Sequence, residues 1–187
     1  MFFIDKYVKR FSETKKKIIK NLFWAILGKC VGLFGNLIIG IFIARYLGPT
    51  QYGLMNYVIS YVTIFTIISN FGLDNIEIRE LSRNGDNKEM ILGTSLGLRL
   101  LFSFIAFICV FFSVFLFDLE QESRILIIIY ALSIFPSAFN LIRNYFTSIV
   151  LNEYVVKSEI IRTIIGASIK ITLLLFNAPI ILFIVAH

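Results

Sequence analysis

Four cations stand inside apolar stretches of helix length (22–44, 90–117 and 160–176), with no acidic residue in those stretches beside them: Lys29, Arg99, Arg162 and Lys170. A lone charge near the centre of a bilayer costs ~2.5–3.5 kcal/mol on insertion scales, so four of one sign need a reason. Cations without acids suit an anion brought from outside. The chemistry they offer is electrostatic, an electropositive cavity for a polyanionic cargo. Each also has a local alternative. Lys29 lies eight residues in from Asn21, ~12 Å along a helix axis, close enough to snorkel to the nearer interface. Arg162 follows Glu159 by three residues and can pair with it. Lys170 lies six residues before Phe176 and can snorkel the other way. Arg99, nine residues in from Met90, has the least escape. Arg143 joins the set if its helix runs on to Leu151.

Uncharged polar residues repeat at helical spacing beside these cations. Asn56, Ser60, Thr63 and Asn70 follow one another by four, three and seven residues, which is one face of a 3.6-residue period. Ser95, Arg99 and Ser103 repeat every four, and Ser133, Ser137, Asn140 and Asn144 by four, three and four. Asn36 stands seven residues after Lys29. Lipid cannot solvate such stripes, so they are expected to face one another or a water-filled cavity. As helix–helix contacts alone they would contribute about 0.6–2 kcal/mol each.

The elements that must position these residues are transmembrane helices. The chain has 187 residues, of which 58% are hydrophobic and 16% charged, with a mean hydropathy of +0.84. Soluble domains carry roughly 25% charged residues. About 20 apolar residues span the hydrocarbon, and five stretches qualify: about 22–44, 52–73, 90–117, 125–151 and 154–176. A sixth begins at Pro179 and has eight residues after it, ~12 Å of helix. The expected fold is therefore an all-α polytopic bundle of five complete helices and the start of a sixth. The chain is expected to be a fragment of a longer protein or a truncated reading frame. Pro136 should kink the fourth helix. Gly28–Gly32 and Gly93–Gly97 are small-residue patterns for close helix packing. The stretch from Asn75 to Arg83, with Ile76, Ile78 and Leu81 among charges, suits either a short interfacial helix or an ordinary connecting loop with a partly buried face, and is read as the loop.

Residues 1–20 form a basic tail with seven cations, ending at Lys20, and residues 21–187 the transmembrane lobe. Counting connections as well, twelve cations flank one side, against Arg45 and Arg124 on the other. That asymmetry places the amino terminus in the cytoplasm. The tail is read as a topology and lipid-headgroup signal, not a nucleic-acid site. The first helix is too long for a signal peptide and has no small-residue cleavage site after it. Cys30 and Cys109 lie within helices without a metal-spacing partner, and the one histidine is His187. Neither a catalytic triad nor a zinc, phosphate-loop or dinucleotide motif is present. The expectation is a protein that is not an enzyme and that holds no metal or cofactor.

One local pattern is more specific than composition. The first helix ends Ile43-Ala-Arg-Tyr-Leu-Gly-Pro-Thr-Gln-Tyr-Gly53, and the second closes Asn70-Phe-Gly-Leu-Asp74 with Arg79 following. This succession resembles the polysaccharide flippases (O-antigen or lipid-linked oligosaccharide) of the multidrug/oligosaccharidyl-lipid/polysaccharide exporter superfamily. Arg45, Gly48, Pro49, Gly53, Gly72, Leu73, Asp74 and Arg79 are the matching positions. The resemblance implies the amino-terminal lobe of a 12–14-helix transporter in the bacterial inner membrane. Its implied cargo is a polyprenyl-pyrophosphate-linked glycan, moved from inner to outer leaflet by alternating access. Lys29, Arg99, Arg162 and Lys170 would then hold phosphates. Asn36, Asn56, Ser60, Thr63, Asn70, Ser137 and Asn140 would line the path for sugar hydroxyls. Partners would be the lipid bilayer, the glycan and other polysaccharide assembly proteins, with no nucleic acid. The alternatives are a peptidoglycan-precursor flippase, a drug/cation antiporter of the same superfamily, and a non-transporting membrane scaffold.

Overall fold

A computed structural model describes residues 2–83, 87–117 and 119–187, with side chains from Leu22 onward apart from Ala25. The cations of the basic tail and its boundary at residue 20 thus fall outside the described side chains. The described residues are helical: α1 (Phe2–Asn70), α2 (Leu73–Arg83), α3 (Lys88–Leu116), α4 (Gln121–Ala131), α5 (Asn140–Ser148), α6 (Asn152–Leu175) and α7 (Ile180–Val185). Two short 3₁₀ turns, Leu132–Ile134 and Pro136–Phe139, join α4 to α5.

α1 is two helices meeting at Gly48, whose φ of 71° and ψ of 175° lie outside the helical region. Only glycine occupies that region at low cost. Pro49 then starts the second arm, where a missing N–H is harmless. The two arms fold back on each other. The Tyr52 hydroxyl comes within 3.8 Å of a Cβ built on Gly40, although twelve residues of straight helix would separate them by ~18 Å. A second reversal follows at Gly72, with φ 71°.

Three continuous stretches are long and apolar enough to cross a membrane: Leu22–Arg83, Lys88–Leu116 and Gln121–Ser148. Because the first doubles back at Gly48, it supplies two crossings. α6, at 24 residues, has the length for a fifth but carries Glu159, Arg162 and Lys170.

Pro136 interrupts the fourth crossing and does not merely bend it. Without a proline N–H the Leu132 carbonyl has no regular partner, and Phe135 N–H donates to it at 3.3 Å. Ser137 Oγ donates to the Ile134 carbonyl at 2.5 Å. Backbone groups freed in lipid are thus satisfied locally.

The apolar core lies at the Gly48 end. Met55, Val58 and Val62 of the second α1 arm meet Ala106, Val110 and Val114 of α3, and Ile127 and Phe183 complete the cluster. α6 runs parallel to the first α1 arm. Gly28 abuts Val156 and Gly35 abuts Thr163, seven residues apart on both helices. A Cβ on Gly28 would lie 2.9 Å from Val156 Cγ1, and one on Gly35 3.1 Å from Thr163 Cγ2. The close-packing seam is therefore Gly28 with Gly35. A Cβ placed on Gly32, Gly93 or Gly97 would meet nothing within 4 Å, so the two GxxxG patterns do not form seams among the described residues.

The connection from Asn75 to Arg83 is a helix, not a loop. Leu73, Glu77 and Leu81 recur every four residues and are buried, with Asp74 in the first turn and Arg83 in the last, as the helix dipole favours.

Gly48→Ala should lower the melting temperature of the detergent-solubilised protein, with a cost of ~1–3 kcal/mol for forcing a Cβ into that backbone region. Gly53→Ala, in the same motif but with open space around it, should leave the melting temperature unchanged or slightly raised.

Candidate functional site

The four intramembrane cations have three different fates. Arg99 is buried to 1% exposure and fully engaged. Its Nε and Nη2 donate to Glu77 Oε1 and Oε2 at 2.7 and 2.8 Å, and Nη2 also reaches Asp74 Oδ1 at 2.5 Å. Nη1 reaches Asn70 Oδ1 at 3.5 Å. Asn144 Nδ2 donates to Asp74 Oδ1 at 2.8 Å and to Glu77 Oε2 at 2.7 Å. Helices α2, α3, α5 and the second α1 arm meet at this cluster. Arg99 therefore does not line a cationic cavity. It is a buried two-pronged ion pair, and its acids come from α2, outside the apolar stretch that carries it.

The rest of that stripe is also internal. Ser103 Oγ and Ser69 Oγ share a hydrogen bond of 2.6 Å, and Ser95 is buried. Asn70 serves Arg99, and Ser137 closes the break in the fourth crossing.

Lys170 stands apart, eight residues or ~12 Å beyond Arg162 along α6. Its Nζ lies 3.4 Å from His187 Nδ1, and the His187 ring stacks on Tyr130 with centroids 6.1 Å apart.

Lys29 and Arg162 do come together. A groove of about 380 Å³ between the first α1 arm and α6 is lined by Lys29, Asn36, Glu159, Arg162 and Thr163. A neighbouring cavity of about 300 Å³ between α5 and α6 is lined by Asn140, Arg143, Ser158, Glu159 and Arg162. Arg162 and Glu159 belong to both. Glu159 pairs with Arg143 Nε at 3.5 Å. The pairing of Arg162 with Glu159, open from their spacing, is thus not the one formed. Lys29 and Arg162 have no ion pair among the described residues. Three cations surround one carboxylate, a surplus of two positive charges.

The polar stripe of the second α1 arm lines neither cavity. Asn56, Ser60 and Thr63 are exposed, opposite the buried Met55, Val58 and Val62. Asn56 and Thr63 bond carbonyls of their own helix, Tyr52 at 2.8 Å and Ile59 at 2.7 Å. Lys29, Asn36 and Gly40 share one helical face, and the Tyr52 hydroxyl meets Gly40. The groove can bind an anion through Lys29 and Arg162, with Asn36 and Thr163 as neutral polar groups beside them.

Of the turn motifs, Gly48 and Gly72 hold the two positive-φ reversals, and Asp74 belongs to the Arg99 cluster. Arg45 is exposed, and Arg79 is exposed and paired with Glu80 at 3.2 Å.

Two residues central to this arrangement do not stand out by polar spacing. Glu77 is marked only by the Leu73–Glu77–Leu81 register, which puts an acid on an apolar face. Glu159 has a sequence signal only as a neighbour of Arg162, and nothing local marks its position between two cavities.

The family profile described as "Polysaccharide biosynthesis protein" matches residues 18–187. No curated protein matches the chain, and no solved structure does.

Removing one member of the Arg99 cluster should be far worse than exchanging the pair. Arg99→Ala or Glu77→Ala is expected to cost about 3–5 kcal/mol, read as lost folded yield on size-exclusion chromatography. The double variant Arg99→Met with Glu77→Leu should recover most of that yield, because the carboxylate it leaves, Asp74, is half exposed and keeps its hydrogen bond from Asn144.

Proposed function

The chain belongs to the polysaccharide biosynthesis protein family, and from that premise we propose that it moves a lipid-pyrophosphate-linked oligosaccharide between the leaflets of the bacterial inner membrane. Its apolar helices make it a membrane protein. The observation that carries the reading is the pair of adjoining cavities sharing Arg162, where Lys29, Arg143 and Arg162 surround Glu159 alone. A diphosphate needs more than one cation and a site open enough to leave again. Charge-assisted hydrogen bonds to guanidinium and ammonium supply the first, and solvent access to the groove supplies the second. Asn36 and Asn140 lie within these cavities, so sugar hydroxyls have partners while the lipid tail stays in hydrocarbon. In this reading the amino terminus is cytoplasmic, the groove loads from that side, and transport follows alternating access. The protein carries its cargo and makes no covalent change to it. A peptidoglycan-precursor flippase would use the same cations. A cation antiporter needs a carboxylate free to exchange its ion; Glu77 is committed to Arg99, and Glu159 sits among three cations that repel an incoming cation.

The test is rescue of surface polysaccharide in a strain lacking its own polysaccharide flippase, with variants compared at matched membrane abundance. Arg162→Ala and Lys29→Ala should each lower the surface signal by roughly tenfold, the scale of one lost charge-assisted hydrogen bond. Lys170→Ala, whose ammonium faces His187, should retain most of it. Full rescue by Arg162→Ala and Lys29→Ala would overturn the cationic-site assignment. Absence of rescue by the unaltered protein would favour the scaffold reading.

A further inference from the structure

Glu159 is the one acidic residue lining either cavity among the described residues, and it lines both. Its surroundings differ from those of the acids at Arg99. The Glu159 carboxylate is 32% exposed, its partner Arg143 is 61% exposed, and they meet through a single long contact of 3.5 Å. At Arg99 the contacts are 2.5–2.8 Å, and the Glu77 carboxylate is 1% exposed. Exposed single-contact pairs hold weakly and exchange readily, whereas buried two-pronged pairs do not. Glu159 also precedes Arg162 by three residues on the same helix, so its carboxylate stays within reach of that face whichever cation it touches.

We propose that Glu159 is the resident counter-ion shared by the groove and its neighbouring cavity, occupying Arg143 on the cavity side while both are empty and giving it up to an arriving phosphate. This rests on the anion-binding reading above and adds a selectivity device to it. An incoming anion must out-compete a carboxylate already in place. A multiply charged diphosphate does so more easily than a weakly charged ion, so the acid rejects weak competitors by occupying Arg143. After translocation the same carboxylate can recapture Arg143 and assist release.

The experiment is calorimetric titration of inorganic pyrophosphate into the purified protein in phosphatidylcholine nanodiscs, with inorganic phosphate as the weaker anion. Glu159→Gln should bind pyrophosphate roughly two- to fivefold tighter, the range set by an exposed ion pair, and should narrow the preference for pyrophosphate over phosphate. In an Arg143→Gln background the same substitution should give no gain, since the pair it disrupts is already gone. A full gain retained there would mean a passive field effect and would overturn the proposal. Pyrophosphate binding that is lost in Arg162→Gln yet unchanged or weaker in Glu159→Gln would sink the proposal and spare the anion-binding reading. No binding to the unaltered protein or to Glu159→Gln would sink both. Repeating the titration with phosphatidylglycerol in the discs separates the two sources of phosphate. Competition there would assign the displacing group to a lipid headgroup with the role of Glu159 intact, and its absence would assign it to the soluble diphosphate.

Discussion

A guanidinium cannot escape burial by giving up its proton, so the apolar bundle can enclose Arg99 only if carboxylates are delivered to it. This requirement organises one end of the molecule. The chain leaves the second α1 arm through the Gly72 reversal, enters α2 at Leu73 and presents Asp74 and Glu77 on successive turns. Asn144, from the far side of the Pro136 break, fills the remaining acceptor positions. Four segments, reaching from Asn70 to Asn144, share one set of hydrogen bonds. The other end needs no such device, because Val58, Val62, Ala106 and Val110 form an apolar cluster and its polar contacts, such as Tyr61 with Ser113, are between neutral groups.

The fold class is legible because apolar runs of bilayer length have few other readings. The reversals are legible as well. Gly48-Pro49 and Gly72 are written into the chain as residues that suit positive φ or a missing N–H, and both turns are where the backbone requires them. Less visible is what lies between helices. α2 is short and mostly polar, with charges that suit a solvated loop. Its role appears only when Glu77 is counted as part of the Leu73–Leu81 face. The packing seam escapes the GxxxG pattern because α6 runs alongside the first arm in parallel, and its close approaches fall seven residues apart.

The candidate site is legible in residue type and only partly in arrangement. Period-four spacing puts Ser95, Arg99 and Ser103 on one face and Asn56, Ser60 and Thr63 on another, but periodicity does not say which face turns inward. On α3 the polar stripe is internal, and on the second α1 arm it is external. The four cations look alike as interruptions of apolar runs. What separates them is the neighbour each meets: α2 for Arg99, the end of α7 for Lys170, and each other's helices for Lys29 and Arg162. Those neighbours lie 17 residues away or more, beyond the range of local pattern.

The Gly28–Val156 and Gly35–Thr163 contacts have a consequence for electrostatics. They bring the first arm and α6 together through packing, at the level where Lys29 and Arg162 face one groove. Like charges are thus held near each other by van der Waals fit and not by a full complement of acids. The work of crowding them is done when the helices dock during folding. An anion entering the groove would then meet Lys29 and Arg162 already in place, and none of its interaction energy would go into bringing the two helices together.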